Sequence, residues 1–234
     1  MFYGCNRLVG GTGFVTPSGG GTATYCKLGS TGLLTDPDDD GRNWCWGTLY
    51  DDGVLEVSAS SSVDESRTVE SHGRVCINGS YNALGGMPWN DVRKQVLSAE
   101  FLADMAAFSY CDLNYWFYSC MNMTGVTGWS YLAGVHEMKY TFSSCTSLVT
   151  LCLTGLDPSS FTNLQYAFSG CSALVTIYVD STWALPSSGV SGIGTFYNDK
   201  AIVGGNGTTY SSSNYGYAYC RIDTASTPGY LTAI

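Results

Sequence analysis

The sequence has 234 residues and carries ten Lys and Arg against nineteen Asp and Glu, which gives a formal net charge of −9. This balance excludes the basic surface typical of nucleic-acid-binding proteins. With 44% hydrophobic and 14% aromatic residues the chain can bury a large core, and this composition argues against disorder.

Residues 1–35 align with the C-terminal end of the same chain. Residues 2–13 align without gaps on residues 196–207, and the likeness continues beyond them. We interpret residues 1–35 as the end of a preceding repeat array, because Met1 then falls inside a repeat whose upstream half is missing. This predicts that the chain is a piece of a longer protein, continuous with further repeats upstream of Met1. A native start at Met1 after ancestral truncation is the alternative.

Residues 36–95 are interpreted as an acidic linker followed by a small β-rich capping unit. The linker opens with Asp-Pro-Asp-Asp-Asp-Gly, which matches the start of a calcium loop, where carboxylates at alternate positions bind the ion. Asp36, Asp38 and Asp40 are the candidate metal ligands. The twelfth position is Gly47, so the bidentate Glu of such loops is missing. The sequence therefore favours a linker and no cofactor, with bound Ca²⁺ as the alternative.

A β-hairpin is predicted inside the capping unit. Strand-forming residues at 46–50 and 54–57 flank an Asp-Gly turn, whose glycine supplies the positive φ that a tight turn needs. Residues 74–77 are predicted to form a further strand. Pro88 stands where a helix is predicted to begin, because proline is tolerated in a first helical turn.

A repeat of 25 to 28 residues follows, in an array over residues 96–194 and a terminator segment over residues 195–234. Each copy carries Phe, then Cys (Asp in the last copy) three positions later and an apolar residue three positions after that, which predicts one face of a short helix. Alternating apolar residues follow in the stronger copies and predict a half-buried strand. The marked positions are Phe117 and Cys120, Phe142 and Cys145, Phe168 and Cys171, and Phe196 and Asp199.

Units of this size cannot bury their own apolar faces, so neighbouring units must stack. The predicted fold class is an α/β repeat: a short leucine-rich-repeat solenoid of parallel strands and short helices, with the β-rich unit as its cap. Residues 138–153 and 164–179 resemble the BspA-like leucine-rich-repeat surface proteins of bacteria, through their shared Phe-x-x-Cys-x-x-Leu core.

The resemblance implies a non-enzymatic, extracellular module for recognition or adhesion at a cell surface. Its partner would be a protein or a glycan on a host or bacterial surface. Similar repeats also occur in phage tail and virion-appendage proteins, so a virion location in contact with a bacterial surface is the alternative. A passive structural spacer is the second alternative.

No catalytic site and no membrane insertion are predicted. His72 and His136 are isolated in the sequence, and the chain lacks the nucleophile-elbow, zinc-protease and phosphate-loop motifs. No segment approaches the roughly eighteen consecutive apolar residues that a membrane-spanning helix needs.

The cysteines of the repeat are predicted to be reduced core residues, because a free Cys behaves as a small buried hydrophobe. The replacement of Cys by Asp in the last copy also argues against obligate pairing. A disulfide stays open for the remaining cysteines, among Cys76, Cys111 and Cys152 or between Cys26 and Cys45.

The outward positions of the predicted strands form the candidate binding surface. Side chains alternate along a strand, so the residues between the inward apolar ones face solvent and line up in columns across the copies. Uncharged Thr and Tyr suit a protein or glycan partner. The alternative is that they are ordinary solvated residues of a spacer. The candidate residues are Thr127, Thr150, Cys152, Thr176 and Tyr178.

Overall fold

The computed structural model describes residues 43–77 and 86–234. The chain divides into two units, Met1–Asn43 and Trp44–Ile234, and the fold given below is that of the second unit. The predicted end of an earlier array at residues 1–35 lies outside the described residues. So do the candidate calcium ligands Asp36, Asp38 and Asp40.

The described residues form ten β-strands in three sheets. The largest sheet has the strand order β3-β1-β2-β4-β6, a second has the order β10-β9-β8, and β5 pairs with β7 in a third. The strands are β1 (Trp44–Tyr50), β2 (Val54–Ser58), β3 (Val69–Cys76), β4 (Ser98–Phe101), β5 (Cys111–Asp112), β6 (Gly125–Thr127), β7 (Val135–Glu137), β8 (Thr150–Cys152), β9 (Thr176–Val179) and β10 (Leu231–Ala233).

The predicted hairpin is confirmed by β1 and β2, which pair antiparallel. Gly53 in its turn has a φ of 83°, and a Cβ added there would lie 2.8 Å from the Gln95 carbonyl oxygen. Any other residue would therefore be strained and would clash. The third strand of this region, β3, pairs antiparallel with the other edge of β1 and includes most of the strand predicted at residues 74–77.

Parallel strand pairing joins the hairpin to the strands of the repeats. β2 pairs with β4 and β4 with β6, while β8 pairs with β9 and β9 with β10. The predicted capping unit and the first repeat strand thus share one sheet. Each strand places one apolar side chain in the core at matching register, and these inward residues are Leu55, Ala99, Val126, Leu151, Ile177 and Leu231, all buried.

The predicted fold class is wrong, because the described residues contain no α-helix. The structure is mostly β-sheet, with short 3₁₀ turns between strands and no closed solenoid. The residues two positions before and two positions after each repeat Phe have a positive φ, which a right-handed helix cannot include. These residues are Tyr115, Ser119, Tyr140, Ser144, Tyr166, Gly170, Gly194 and Asn198, with φ between 53° and 75°. At Pro88 likewise, the predicted helix is only a 3₁₀ turn, Asn90–Gln95.

Backbone hydrogen bonds between copies replace those of a helix. The Phe117 N–H donates to the Thr141 carbonyl at 2.9 Å, and the Phe142 N–H donates to the Ala167 carbonyl at 2.8 Å. The Phe168 N–H continues the series toward the following copy. In a helix these donors would bond to a carbonyl four residues earlier in their own segment. The turns therefore join each copy to the next.

The repeat phenylalanines stack on one another through the core; we call Phe117, Phe142, Phe168 and Phe196 the phenylalanine ladder. Successive ring centroids lie 5.3, 5.8 and 5.3 Å apart, with interplanar angles of 29° or less. Tyr230 packs edge-on against the last ring at 5.1 Å. Each aromatic contact of this kind contributes about 0.5–1.5 kcal/mol beyond the burial of its area.

The repeat cysteines form a second buried column beside the phenylalanines. The Cys145 thiol donates to the Phe117 carbonyl at 3.0 Å, and the Cys171 thiol donates to the Phe142 carbonyl at the same distance. The repeat cysteines Cys120, Cys145 and Cys171 are buried free thiols, which agrees with the predicted reduced core. Cys111 and Cys152 are free thiols as well, so no disulfide joins these two. Cys26, the predicted alternative partner of Cys45, lies outside the described residues.

Candidate functional site

The parallel strands present a row of outward side chains, which we call the outer row. Register places Glu56 beside Glu100, and Glu100 beside Thr127. In the second sheet, register places Cys152 beside Tyr178 and Tyr178 beside Thr232. The outer row is thus Glu56, Glu100, Thr127, Cys152, Tyr178 and Thr232.

The structure places all five sequence-predicted binding residues on this face. Thr127 and Cys152 are exposed and Tyr178 is half-buried in the outer row. Thr150 is exposed and Thr176 half-buried one step earlier on the same strands, where they are register partners. The structure brings Thr127, Thr150 and Cys152 together along one groove, whereas Thr176 and Tyr178 lie on the next strand beyond it.

The groove runs over β6, with β2 and β4 on one side and β8 on the other. β6 ends one sheet and β8 begins another, and no ladder pairing joins these two strands. Its volume is about 400 Å³. Gly125 leaves it open, because a Cβ added at this glycine would meet no heavy atom within 4 Å. The groove is lined by Val54, Ser98, Ala99, Glu100, Thr124, Gly125, Val126, Thr127, Thr150 and Cys152.

Glu100 is the one charged residue that lines the groove, and it is exposed. Within the described residues, no hydrogen bond or ion pair involves its carboxylate. Its neighbour Glu56 is already held by the Arg67 guanidinium. Arg67 also bonds Asp52 at 2.8 Å and lies 3.7 Å over the Tyr50 ring. Arg67, the nearby cation, is therefore already paired with Glu56 and Asp52.

Leu97, Val149 and Val175 each directly precede a strand of this face, at β4, β8 and β9, and we call these three residues the apolar edge. Their exposed fractions are 46%, 52% and 39%, high for large aliphatic side chains. The Val175 N–H donates to the Val149 carbonyl at 2.8 Å, so the two lie on adjacent copies. Leu97 and Val149 directly precede the groove residues Ser98 and Thr150 in sequence. This edge adds apolar contact surface to the groove.

Cys152 is the exposed member of the described cysteines. Its Sγ lies 3.1 Å from the Thr154 hydroxyl. Its carbonyl accepts a hydrogen bond from the Trp129 indole at 2.8 Å, which fixes the end of β8 beneath the groove. A thiol at this position can be labelled on the groove wall with a thiol-specific reagent.

The two histidines make local contacts. His72 lies on β3, where its Nδ1 is 2.8 Å from the Thr48 hydroxyl and its ring stacks on Trp46. His136 Nδ1 is 2.6 Å from the Gly134 carbonyl oxygen, and its ring stacks on Tyr110. A hydroxyl and an imidazole within hydrogen-bond distance act as nucleophile and base when a third group orients the imidazole. His72 contacts no carboxylate in the described residues that would do so.

A second cleft, of about 300 Å³, contains Asp157, Asp180 and Trp183. Both carboxylates are occupied by the backbone. Asp157 accepts the Ser159 N–H at 2.9 Å, and Asp180 accepts the Gly155 N–H at 2.7 Å. These bonds hold turns in place, so the cleft offers less free binding chemistry than the groove at β6 and β8.

Residues 43–77 and 86–234 contain no cluster of three or more His, Cys, Asp or Glu arranged to hold a metal ion. Within the same ranges, no helix has the length and apolar character that crossing a bilayer requires.

Sequence reasoning missed the near wall of the groove, which β4 forms with Ser98 and Glu100. The signal was present as a short alternation, with Ala99 and Phe101 inward and Ser98 and Glu100 outward. This alternation lies one repeat period before the strand at Gly125. It precedes the first repeat Phe, so the Phe-based alignment did not reach it.

Comparison of the chain with models of protein families, with curated proteins and with solved structures finds no match. The resemblance to the BspA-like family therefore stays a prediction from the repeat motif.

Proposed function

We propose that this chain is a non-enzymatic recognition module that binds a macromolecular partner through the groove that runs over β6, between β4 and β8. The observation that carries the proposal is the groove itself. It is an open site on an exposed sheet face, bordered by exposed apolar residues and containing one carboxylate with no partner in the described residues. Concave sites with apolar walls and a few polar groups are the usual places for binding.

The chemistry of the outer row supports binding over a passive spacer. Equivalent outward positions on successive parallel strands hold Glu100, Thr127, Cys152 and Tyr178, four different chemical types. The inward positions beside them are uniformly small or aliphatic. A spacer needs only the inward pattern, whereas a recognition surface needs an outward face with distinct groups at distinct places.

The setting of this function is an expectation from the resemblance in the repeat motif. A bacterial surface protein and a phage tail protein would both expose the groove to a partner. The groove proposal does not depend on which of the two is correct.

The test blocks the groove without disturbing the fold. Gly125→Trp fills it, and the open space around Gly125 means that the new side chain meets no atom near its Cβ. Ser172→Trp, at an exposed turn residue outside the groove, is the matched control. The purified chain and both variants are screened against a displayed library of random peptides and a printed glycan array.

We expect binders that recognise the unmodified chain and Ser172→Trp but not Gly125→Trp, with thermal unfolding unchanged in both variants. Binders that recognise all three proteins equally would place the site elsewhere. If neither screen yields a binder that depends on Gly125, the chain is better described as a spacer.

A further inference from the structure

We infer that the partner bound in this groove is a protein segment that presents a lysine or arginine side chain to Glu100. The inference rests on the proposed function and names the class of partner for the same site.

Two carboxylates, those of Glu56 and Glu100, lie side by side on the outer row. Glu56 and Glu100 are register partners on adjacent parallel strands, and strands in a sheet lie about 4.8 Å apart. Like charges directly opposite each other destabilise a sheet. Arg67 compensates Glu56, while no described cation contacts Glu100. A cation supplied by a partner would complete the pattern that Arg67 begins.

The net charge of the whole chain acts in the same direction. With a formal charge of −9, the protein attracts basic segments at long range and speeds their encounter. A nucleic acid or an anionic membrane would be repelled by the same field. The long-range and local charges therefore both favour a basic partner.

The walls of the groove favour a peptide over a glycan. None of the ten residues that line it is aromatic, so the groove offers no ring face on which a sugar could stack. The Thr127 and Thr150 hydroxyls can bond to a peptide backbone, and the apolar edge at Leu97, Val149 and Val175 can cover aliphatic side chains. The segment that fits is one basic residue with apolar neighbours.

A metal ion is a weaker occupant of this site. Glu100 is the only carboxylate that lines the groove, and its neighbour Glu56 already binds Arg67. Hard cations such as Ca²⁺ take six to eight oxygen ligands, a set that the described residues do not provide here.

The experiment uses peptides selected from the displayed library on the unmodified chain. One selected peptide is synthesised and titrated, at low and at high salt, against the unmodified chain and three variants. Glu100→Gln removes the proposed contact. Glu65→Gln removes an equal charge from the exposed loop after β2. Gly125→Trp blocks the groove.

We expect selected peptides to share a Lys or Arg flanked by apolar residues. Glu100→Gln should weaken the titrated peptide by about tenfold or more at low salt and reduce the salt dependence of its binding. Glu65→Gln should bind within about twofold of the unmodified chain, since an exposed charge that does not line the groove contributes little. Replacing the basic residue of the peptide with Gln should make Glu100→Gln and the unmodified chain equivalent.

The remaining outcomes separate this inference from the proposed function. Peptides that are lost on Gly125→Trp but keep full affinity for Glu100→Gln would overturn the basic-partner inference and leave the groove function intact. Glycans alone that depend on Gly125 would do the same. Failure to select any peptide on the unmodified chain would overturn the inference, and binders indifferent to Gly125→Trp would overturn both.

Discussion

The interior ladders and the outer row belong to the same repeat copies, yet they vary in opposite ways. Along the phenylalanine ladder the same residue recurs four times, and each ring packs against the next within 6 Å. Along the outer row, the equivalent positions of four successive copies, Glu100, Thr127, Cys152 and Tyr178, all differ. The difference shows how one repeat serves two purposes. Stacking needs identity from copy to copy, whereas recognition needs difference at fixed spacing.

The interior and the outer row should differ most in the reactivity of their cysteine thiols. Cys145 is fully buried, which raises the pKa of its thiol, while Cys152 is exposed on the groove wall. We expect a maleimide to modify Cys152 in the native protein about a thousandfold or more faster than Cys145, because the buried thiol reacts only when the core opens. Timed labelling with peptide mass spectrometry measures both rates. Similar rates would mean that the ladder is loosely packed.

Removing one ring from the ladder should cost the most stability. Phe142 is fully buried and stacks on both neighbouring rings. We expect Phe142→Ala to lower the free energy of unfolding by about 3–5 kcal/mol, measured by denaturant titration. Thr150→Ala on the exposed face should change it by less than about 0.5 kcal/mol. Equal effects of the two substitutions would remove the contrast between the interior and the groove.

Asp199 replaces the Cys that the earlier copies carry in the interior, and it should make the free energy of unfolding depend on pH. It takes the Cys position in the last copy, is fully buried, and accepts the Cys171 N–H at 2.8 Å. Its second oxygen has no hydrogen-bond partner. Burial raises the pKa of its carboxyl from 3.8 to about 8, against the opposing effect of backbone hydrogen bonds.

A raised pKa means that the folded protein holds this proton more tightly than the unfolded chain. The stabilising contribution of the proton is complete below pH 3.8 and is lost as the pH rises to about 8. We expect Asp199→Asn, which keeps an oxygen for the Cys171 N–H, to be more stable than the unmodified chain by several kcal/mol at pH 8, since each pKa unit corresponds to about 1.4 kcal/mol. The two proteins should converge toward pH 4. Parallel unfolding profiles across this range would contradict the assignment.

The smallest effect concerns the positive-φ turns that replaced the predicted helices. Ser144 has a φ of 65°, and the next copy carries Gly170 at the equivalent position. We expect Ser144→Gly to raise the free energy of unfolding by about 0.5–1 kcal/mol, because glycine adopts this conformation without strain. Ser143→Gly, one residue earlier and without a positive φ, should instead destabilise the protein. A loss of stability in both variants would mean that Ser144 is not strained.

The period and the buried columns of this fold could be predicted from the sequence, whereas the helices could not. A Phe every 25 to 28 residues required the copies to stack, whatever the local conformation. The positive φ of Tyr115 and Tyr140 is invisible in a tyrosine, which rarely adopts it. The signal lay in the later copies, where Gly170 and Gly194 occupy such positions. At Gly194 a Cβ would lie 2.3 Å from the Tyr166 ring, so packing also requires glycine there.

The outward direction of the candidate binding residues followed from strand alternation, but the groove did not. It depends on how β4, β6 and β8 lie beside one another, which is a property of the assembled sheets. Glu100 was missed because it lies on a strand upstream of the first repeat Phe. Local pattern thus indicated which side chains face solvent, and only the assembled sheets showed where they form a site.

The hydrogen bonds between copies also determine how the array would respond to mechanical load. The Phe117, Phe142 and Phe168 N–H groups all donate toward the next copy, so the bonds point along the direction in which the copies stack. Tension along that direction would load successive interfaces in series, and each interface would have to resist the full force by itself. Under such a pull the array would yield one copy at a time, since each copy is held only by its neighbours.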